Sequence, residues 1–179
     1  MKFIKQNIKN LYIIKPILFK DIRGSFRRSF CLSKFLKKKI KFKCVQINTS
    51  ENKKKGTLRG FHFNKTLKAE PKIISCSKGK FFLCVIDLRK KSITYKKKKS
   101  LILSSKNKYS VYIPPGCANA FLTLENNTIV NYLMGDYYNK KYDCGFNFKS
   151  EDFKVKWPLK PVVISKKDLN LPDFNQRFN

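Results

Sequence analysis

Short runs of apolar residues, or of alternating apolar and polar residues, recur along the chain. This pattern constrains the possible fold more than any other feature of the sequence. Ten such runs predict strands, at residues 11–14, 26–30, 45–49, 58–63, 72–77, 80–87, 99–103, 110–113, 120–124 and 128–134. The segments between them contain turn residues, among them Lys78-Gly79 and Pro114-Pro115-Gly116. Short strands at this spacing favour a sandwich or a barrel over alternating strands and helices.

The jelly roll is the expected arrangement, because its two packed sheets protect most strand edges. A length of 179 residues fits one domain, and the chain shows no internal repeat or linker. We therefore expect residues 1–179 to form a single all-β domain, a double-sheet jelly roll with one or two short helices. The helix predicted before the C-terminus spans residues 33–40, with Ser33 as its N-cap.

The formal net charge of +30 raises the possibility of a basic nucleic-acid-binding module. The 41 basic residues include only six arginines, whereas arginine is the usual residue for base and phosphate recognition. The lysines fall in separate runs where the apolar pattern lapses, as in solvated loops. We therefore expect no nucleic-acid partner, and we keep that module as the alternative.

The content of cysteine and histidine argues against a metal site. The chain has six cysteines without a C-x-x-C pair, and one histidine. Its N-terminal segment lacks the unbroken apolar core of a secretory signal, and no stretch approaches the roughly 20 apolar residues of a membrane span. The sequence thus predicts a cytoplasmic protein with reduced thiols, no metal and no membrane association.

The single histidine, His62, lies in the predicted strand TLRGFHF. Histidine titrates near neutral pH, so His62 is either a proton-transfer group or an ordinary packed residue. Strict alternation would place Leu58 and His62 on one face of the strand, and Arg59 and Phe61 on the other.

Two further residues have suitable chemistry for proton transfer. Tyr132 lies in a predicted strand, and a phenol can serve as an acid. Asp168 follows near the C-terminus, and an aspartate can orient a histidine and stabilise its protonated form. The sequence leaves open whether Asp168 reaches His62.

Several motifs occur in a fixed order along the chain. They are D-x-R-G-x-F, V-Q-I-N, L-R-G-x-H-F, I-P-P-G-C-A-N-A-F and S-K-K-D. From about residue 10 to residue 172 this order resembles the dTDP-4-dehydrorhamnose 3,5-epimerase family, whose members are cupin-type jelly rolls. The resemblance implies an isomerase that inverts C3, C5 or both in a dTDP-4-keto-6-deoxy sugar, in rhamnose-type precursor synthesis and without a cofactor.

The resemblance also implies roles for individual residues. His62 matches the family's proton-abstracting histidine, Asp168 its partner, and Tyr132 the acid on the opposite face of the sugar ring. Inversion requires such a pair of groups, because the proton leaves one face and returns to the other. Lys72 matches the lysine near the enolate oxygen, where a hydrogen-bond donor is needed.

Ten side chains are assigned to the substrate site by the same resemblance: Arg23, Phe26, Gln46, Asn48, Arg59, Lys72, Asn119, Tyr138, Asp143 and Lys167. Arg23 and Arg59 would contact the phosphates or the nucleotide, and Phe26 would stack on the base. The family further implies a homodimer in which the N-terminal segment, about residues 1–30, reaches the partner's site.

The sequence departs from the family pattern at a few positions. Asn119 stands where the family has histidine, and an amide cannot carry a proton. Arg28 stands where a glutamate is usual, and Leu83 where a carboxylate is common. These changes leave open two further activities, namely an epimerase or isomerase of a different nucleotide-linked keto sugar, or a catalytically weakened family member.

Overall fold

The computed structural model describes residues 1–66 and 70–175. In chain order the elements are β1 (Lys2–Lys5), β2 (Tyr12–Lys15), β3 (Leu18–Asp21), β4 (Gly24–Arg27), α1 (Leu32–Lys37), β5 (Gln46–Asn52), β6 (Thr57–Asn64), β7 (Lys72–Lys78), β8 (Lys80–Asp87), β9 (Lys98–Ser104), β10 (Ser110–Ile113), β11 (Cys117–Thr123), β12 (Thr128–Met134), β13 (Asp143–Gly145), β14 (Val163–Ile164) and α2 (Lys166–Leu169). The prediction of an all-β chain with one or two short helices is confirmed.

Two sheets form the body of the molecule. The first has the spatial order β1-β2-β10-β7-β12-β5, and the second the order β13-β6-β11-β8-β9, with β14 paired parallel to β6. Every other strand pairing in the two sheets is antiparallel within the described residues. The hairpin of β3 and β4 forms a separate two-stranded sheet.

The main core lies between the two sheets, and β8 shows how the sequence builds it. Leu83 and Val85 point into this core, together with Phe121 of β11. The alternate residues Cys84 and Ile86 belong to a second cluster on the opposite face of the same sheet. Because β8 is buried on both faces, it appears in the sequence as a continuous apolar run rather than an alternating one.

Each sheet is also covered on its outer side. The C-terminal segment packs Phe146, Phe153 and Phe174 against the second sheet. Phe35 of α1 packs against the first sheet, beside Tyr112. Within the described residues, no helix is long and apolar enough to cross a membrane.

The ten predicted strands are all present, but some details of the predictions were wrong. The helix covers Leu32–Lys37, and its N-cap is Cys31 rather than Ser33, which already lies inside the first turn. The strand predicted at 26–30 ends at Arg27, because Phe30 turns away to contact the ring of Phe35 at a centroid distance of 5.1 Å.

Strict alternation in β6 is also wrong, because the strand contains an irregularity. In its pairing with β11, His62 lies opposite Asn119, whereas Arg59 lies opposite Phe121. Three steps along β6 thus match two steps along β11, which is the signature of a β-bulge. The extra residue brings Arg59 and His62 to the same cavity. Leu58 packs instead in the second cluster, on the opposite face of the sheet.

Gly60 occupies the irregular part of β6, and only glycine fits there. Its φ is +112°, and a Cβ atom would lie 2.7 Å from the carbonyl oxygen of Asn119 and 2.8 Å from the Cα of Ala120. The absence of a side chain therefore allows β6 to approach β11 at the point where the strand changes phase.

We expect Gly60→Ala to lower the free energy of unfolding by about 2 kcal/mol or more, since a strained φ costs about 1–3 kcal/mol and the new methyl group meets backbone atoms. Urea unfolding, followed by the fluorescence of Trp157, measures this loss. Gly24→Ala is the matched control, because Gly24 has a φ of +123° but no atom within 4 Å of its Cβ position. Equal losses in both variants would contradict the importance of the close approach.

Candidate active site

A cavity of about 260 Å³ opens between the two sheets. The predicted site residues that line it are Asn48, Arg59, His62, Lys72, Asn119, Tyr132 and Asp143. A larger surface hollow of about 550 Å³ lies between Tyr12, Arg89 and Pro115, but it contains none of the predicted residues. The smaller cavity is therefore the candidate active site, since titratable and polar side chains converge there.

His62 contacts Asp168 directly, so the contact left open by the sequence is present. The Nε2 atom of His62 lies 2.8 Å from Oδ1 of Asp168. The amide of Gly60 donates a hydrogen bond to the other carboxylate oxygen at 3.1 Å. Asp168 lies on α2, where its amide donates to the Oγ of Ser165 and fixes the short helix. A carboxylate held on two sides in this way orients the imidazole ring.

Asp168 is buried yet ionised at neutral pH. Burial by itself raises the pKa of a carboxyl group, but the hydrogen bond and charge of His62, with the Gly60 amide, outweigh it and hold the pKa of Asp168 below its ordinary value. An ionised Asp168 stabilises a proton on Nε2 of His62. The Nδ1 atom is then the nitrogen that remains to accept a proton.

Tyr132 and Lys72 lie on neighbouring strands of the first sheet, β12 and β7, and both reach the cavity. Burial raises the pKa of the Tyr132 phenol, so this group stays protonated and able to donate at neutral pH. The Nζ atom of Lys72 lies 3.0 Å from the carboxylate of Glu70, and both side chains are largely buried. The cavity therefore combines an oriented histidine, a phenol and an ammonium group.

The polar residues of β5 form one wall of the cavity. Asn48 lines it, and Gln46 donates a hydrogen bond to the Asn48 side chain at 2.8 Å. Arg59 donates from Nε to Asn52 at 3.0 Å and makes no ion pair within the described part of the chain. Its guanidinium charge thus remains available for an anion.

Three predicted residues form a cluster around Asp143. The ammonium of Lys167 lies 2.6 Å from the Asp143 carboxylate, and the Tyr138 hydroxyl donates to the same oxygen at 3.4 Å. Only Asp143 lines the cavity, and Tyr138 is 58% exposed.

Asn119 lies directly across the strands from His62 and is only 6% exposed. Its Oδ1 atom is the buried side-chain atom without a hydrogen-bond partner in the described residues. Leaving such an atom unpaired costs about 1–3 kcal/mol. The amide is therefore a group whose hydrogen bonding a ligand could complete.

Arg23 and Phe26 are not brought to the cavity of their own chain. Both belong to the β3–β4 hairpin, in which Arg23 pairs with Asp21 at 2.6 Å and Phe26 is 69% exposed. Ile22, at the turn, is fully exposed.

The sequence reasoning missed three polar residues of the cavity, Thr49, Ser50 and Glu70. Ser50 could have been found, because alternation along β5 places it on the same face as Asn48. Glu70 lies outside a strand, so no periodic signal marked it. Within the described residues, no group of three histidine, cysteine or acidic side chains could hold a metal ion.

The fold and site define a jelly-roll enzyme equipped for acid–base proton transfer. The model of the dTDP-4-dehydrorhamnose 3,5-epimerase family matches residues 5–176. The chain is 36% identical to the dTDP-4-dehydrorhamnose 3,5-epimerase of Methanothermobacter thermautotrophicus over 172 residues. This alignment covers 94% of the present chain and 92% of the relative. The chain belongs to the dTDP-4-dehydrorhamnose 3,5-epimerase family and is an enzyme of the isomerase class.

Solved structures agree with this assignment. The dTDP-4-dehydrorhamnose 3,5-epimerase of Bacillus anthracis, with TDP and PPi bound, superposes with a TM-score of 0.92 at 34% identity, covering 96% of this chain and 98% of that one. The dTDP-6-deoxy-D-glucose-3,5-epimerase of Legionella pneumophila, in complex with dTDP-4-keto-L-rhamnose, has a TM-score of 0.91 at 31% identity, with 97% and 93% covered. The predicted cupin-type jelly roll is thereby confirmed.

The lowered pKa of Asp168 predicts a pH-dependent contribution to stability. A depressed carboxyl pKa stabilises the folded state above the unfolded pKa of about 4, and this contribution is lost as the pH falls through the folded value. We expect Asp168→Asn to cost about 1–3 kcal/mol of unfolding free energy at pH 7 and less at pH 3. Urea unfolding at both values measures this.

Asp21→Asn serves as the control, because Asp21 is an exposed partner of Arg23 and such pairs contribute little. A loss for Asp168→Asn that stayed constant between the two pH values would show that its charge does not stabilise the fold.

Proposed function

We propose that this enzyme inverts C3 and C5 of a dTDP-4-keto-6-deoxy sugar, in the synthesis of rhamnose-type deoxysugar precursors. The observation that carries the proposal is the contact between His62 and the buried, ionised Asp168 at the cavity. The Legionella relative in complex with dTDP-4-keto-L-rhamnose supports a nucleotide-linked keto sugar as substrate.

In the proposed reaction, His62 removes the proton from a carbon next to the ketone. The electrons of the C–H bond form the enolate, whose oxygen receives a hydrogen bond from the Lys72 ammonium. Tyr132 then donates its phenolic proton to the opposite face of the same carbon, which inverts the centre. Exchange with solvent returns the proton to Tyr132 and removes the one on His62, and the cycle is repeated at the second carbon.

The substrate's diphosphate is proposed to bind at Arg59, whose guanidinium has no carboxylate partner in the described residues. Asn48, supported by Gln46, offers a side-chain amide to the sugar. The remaining contacts are assigned to Asn119, Tyr138, Asp143 and Lys167. The net charge of +30 would attract an anionic substrate from a distance.

We further propose a homodimer in which the β3–β4 hairpin of one chain completes the site of the other. The hairpin exposes Phe19, Ile22 and Phe26, and Ile47 of β5 is 68% exposed. Exposing such a group of apolar side chains to water is unfavourable unless another protein surface covers them. In that arrangement Arg23 would contact the nucleotide part of the substrate, and Phe26 would stack on its base. The six cysteines all lie within the described residues and form no disulfide with one another, which fits action in the reducing cytoplasm.

The first test follows deuterium uptake at C3 and C5 of dTDP-4-keto-6-deoxyglucose in heavy water. We expect uptake at both carbons, and a decrease of at least about 100-fold in His62→Asn, because a positioned base contributes about 10²–10⁴ to the rate. Uptake at one carbon would restrict the enzyme to a single centre. No uptake with this substrate would contradict the proposal.

The second test mixes His62→Asn, which lacks the proposed base, with Arg23→Ala, which lacks the proposed nucleotide contact, and refolds the two together after denaturation. If the hairpin serves the partner, a mixed dimer has one site with both residues intact, so about a quarter of the wild-type activity should return at equal mixing. If the hairpin serves its own chain, every site carries one defect and no activity returns. Sedimentation measures the oligomeric state of each sample.

A further inference from the structure

One acidic side chain of the cavity, Glu70, has no part in the reaction as proposed above. It precedes β7, with its backbone in the left-handed region at a φ of +72°. Its Oε2 atom lies 3.0 Å from the Nζ of Lys72, and the two side chains are 14% and 8% exposed. The Lys72 ammonium, which would meet the enolate oxygen, is therefore one half of a buried ion pair.

The ammonium of Lys72 needs a partner to be useful in this place. The backbone of Lys72 is fixed within β7, where it lies opposite Ile113 of β10 on one side and Met134 of β12 on the other. Its four-carbon stem, however, has several rotatable bonds, and a charge that is buried alone is unfavourable. Glu70 supplies both a compensating charge and a fixed point for the tip of the chain.

The hydrogen bonds of this pair leave donors free for a ligand. An ammonium group has three N–H donors, and within the described residues Lys72 makes one side-chain hydrogen bond, to Glu70. The other carboxylates at the cavity, Asp143 and Asp168, already contact Lys167 and His62. Glu70 is thus the carboxylate that fixes the direction of the remaining Lys72 donors.

We propose that Glu70 is a positioning residue that holds the Lys72 ammonium where the enolate oxygen forms. This inference rests on the proposed epimerisation, because the enolate gives the position of Lys72 its importance. A donor stabilises a developing charge best when it is already in place before the reaction. Glu70 should therefore affect the rate of proton exchange more than the binding of the nucleotide.

The test compares Glu70→Ala and Glu70→Gln in the deuterium-uptake assay, with dTDP affinity measured by calorimetry. We expect Glu70→Ala to lower kcat by about 10- to 100-fold, as small misplacements of catalytic groups do, with dTDP affinity changed less than about twofold. Glu70→Gln should lose less activity, since its amide oxygen can still accept from Lys72. Glu125→Gln is the matched control, because it breaks an exposed pair with Lys80 and should leave kcat unchanged.

A double variant separates positioning from an independent effect. If Glu70 acts through Lys72, Glu70→Ala combined with Lys72→Ala should be no slower than Lys72→Ala alone. Losses that multiply would overturn the proposal. A Glu70→Gln enzyme faster than the wild type would also overturn it, because the carboxylate would then oppose the reaction.

A measurement without substrate distinguishes this inference from the proposed function. Acetylation of the Lys72 amine, quantified by mass spectrometry, should be faster in Glu70→Ala than in the wild type and unchanged in Glu125→Gln. If the wild type exchanges no deuterium, the proposed function fails, whereas the acetylation rate still reports whether Glu70 holds Lys72. Equal rates in the wild type and Glu70→Ala would overturn the positioning role.

Discussion

The site depends on a single extra residue in β6. Gly60 lets β6 approach β11 more closely than any side chain would allow. At this point the alternation of side chains along β6 shifts by one residue. This change brings Arg59 and His62 to the same cavity. It also turns the Gly60 amide toward Asp168, so the backbone at the irregularity holds the carboxylate that in turn orients His62. The proposed phosphate contact of Arg59 and the proposed proton transfer by His62 thus depend on one local constraint.

Charge compensation is the second principle of the cavity. The ionisable groups of the cavity contact one another in pairs, His62 with Asp168, Lys72 with Glu70 and Asp143 with Lys167, and Arg59 alone stands apart from a carboxylate within the described residues. Such pairing avoids the high cost of an isolated buried charge. An uncompensated guanidinium then gives the cavity a preference for an anion, which agrees with a substrate that carries a diphosphate.

The replacements at Asn119 and Leu83 also avoid an isolated buried charge. Asn119 lies opposite Val85, and Phe121 lies opposite Leu83, so Asn119 and Leu83 are diagonal neighbours on the face of the sheet that points inward. The family that the sequence resembles has histidine at the first position and commonly a carboxylate at the second. Both ionisable groups are replaced together here, which leaves neither charge buried without a partner. The part of the second sheet beside His62, at Asn119 and Leu83, is consequently neutral, and its free hydrogen-bonding capacity lies in the Asn119 amide.

The sequence by itself determined the fold class and the chemical inventory, because strand periodicity and turn residues are local signals. It predicted ten of the strands in the described residues, but not β1, β3, β13 and β14, each of which has four residues or fewer. It also supplied His62, Asp168, Tyr132 and Lys72 as candidates. Only the tertiary structure decided that Asp168 meets His62 across 106 positions, that Arg59 shares the cavity with His62, and that Glu70 forms an ion pair with Lys72. These relations arise from strand register, a bulge and loop placement, which no single segment of the sequence encodes.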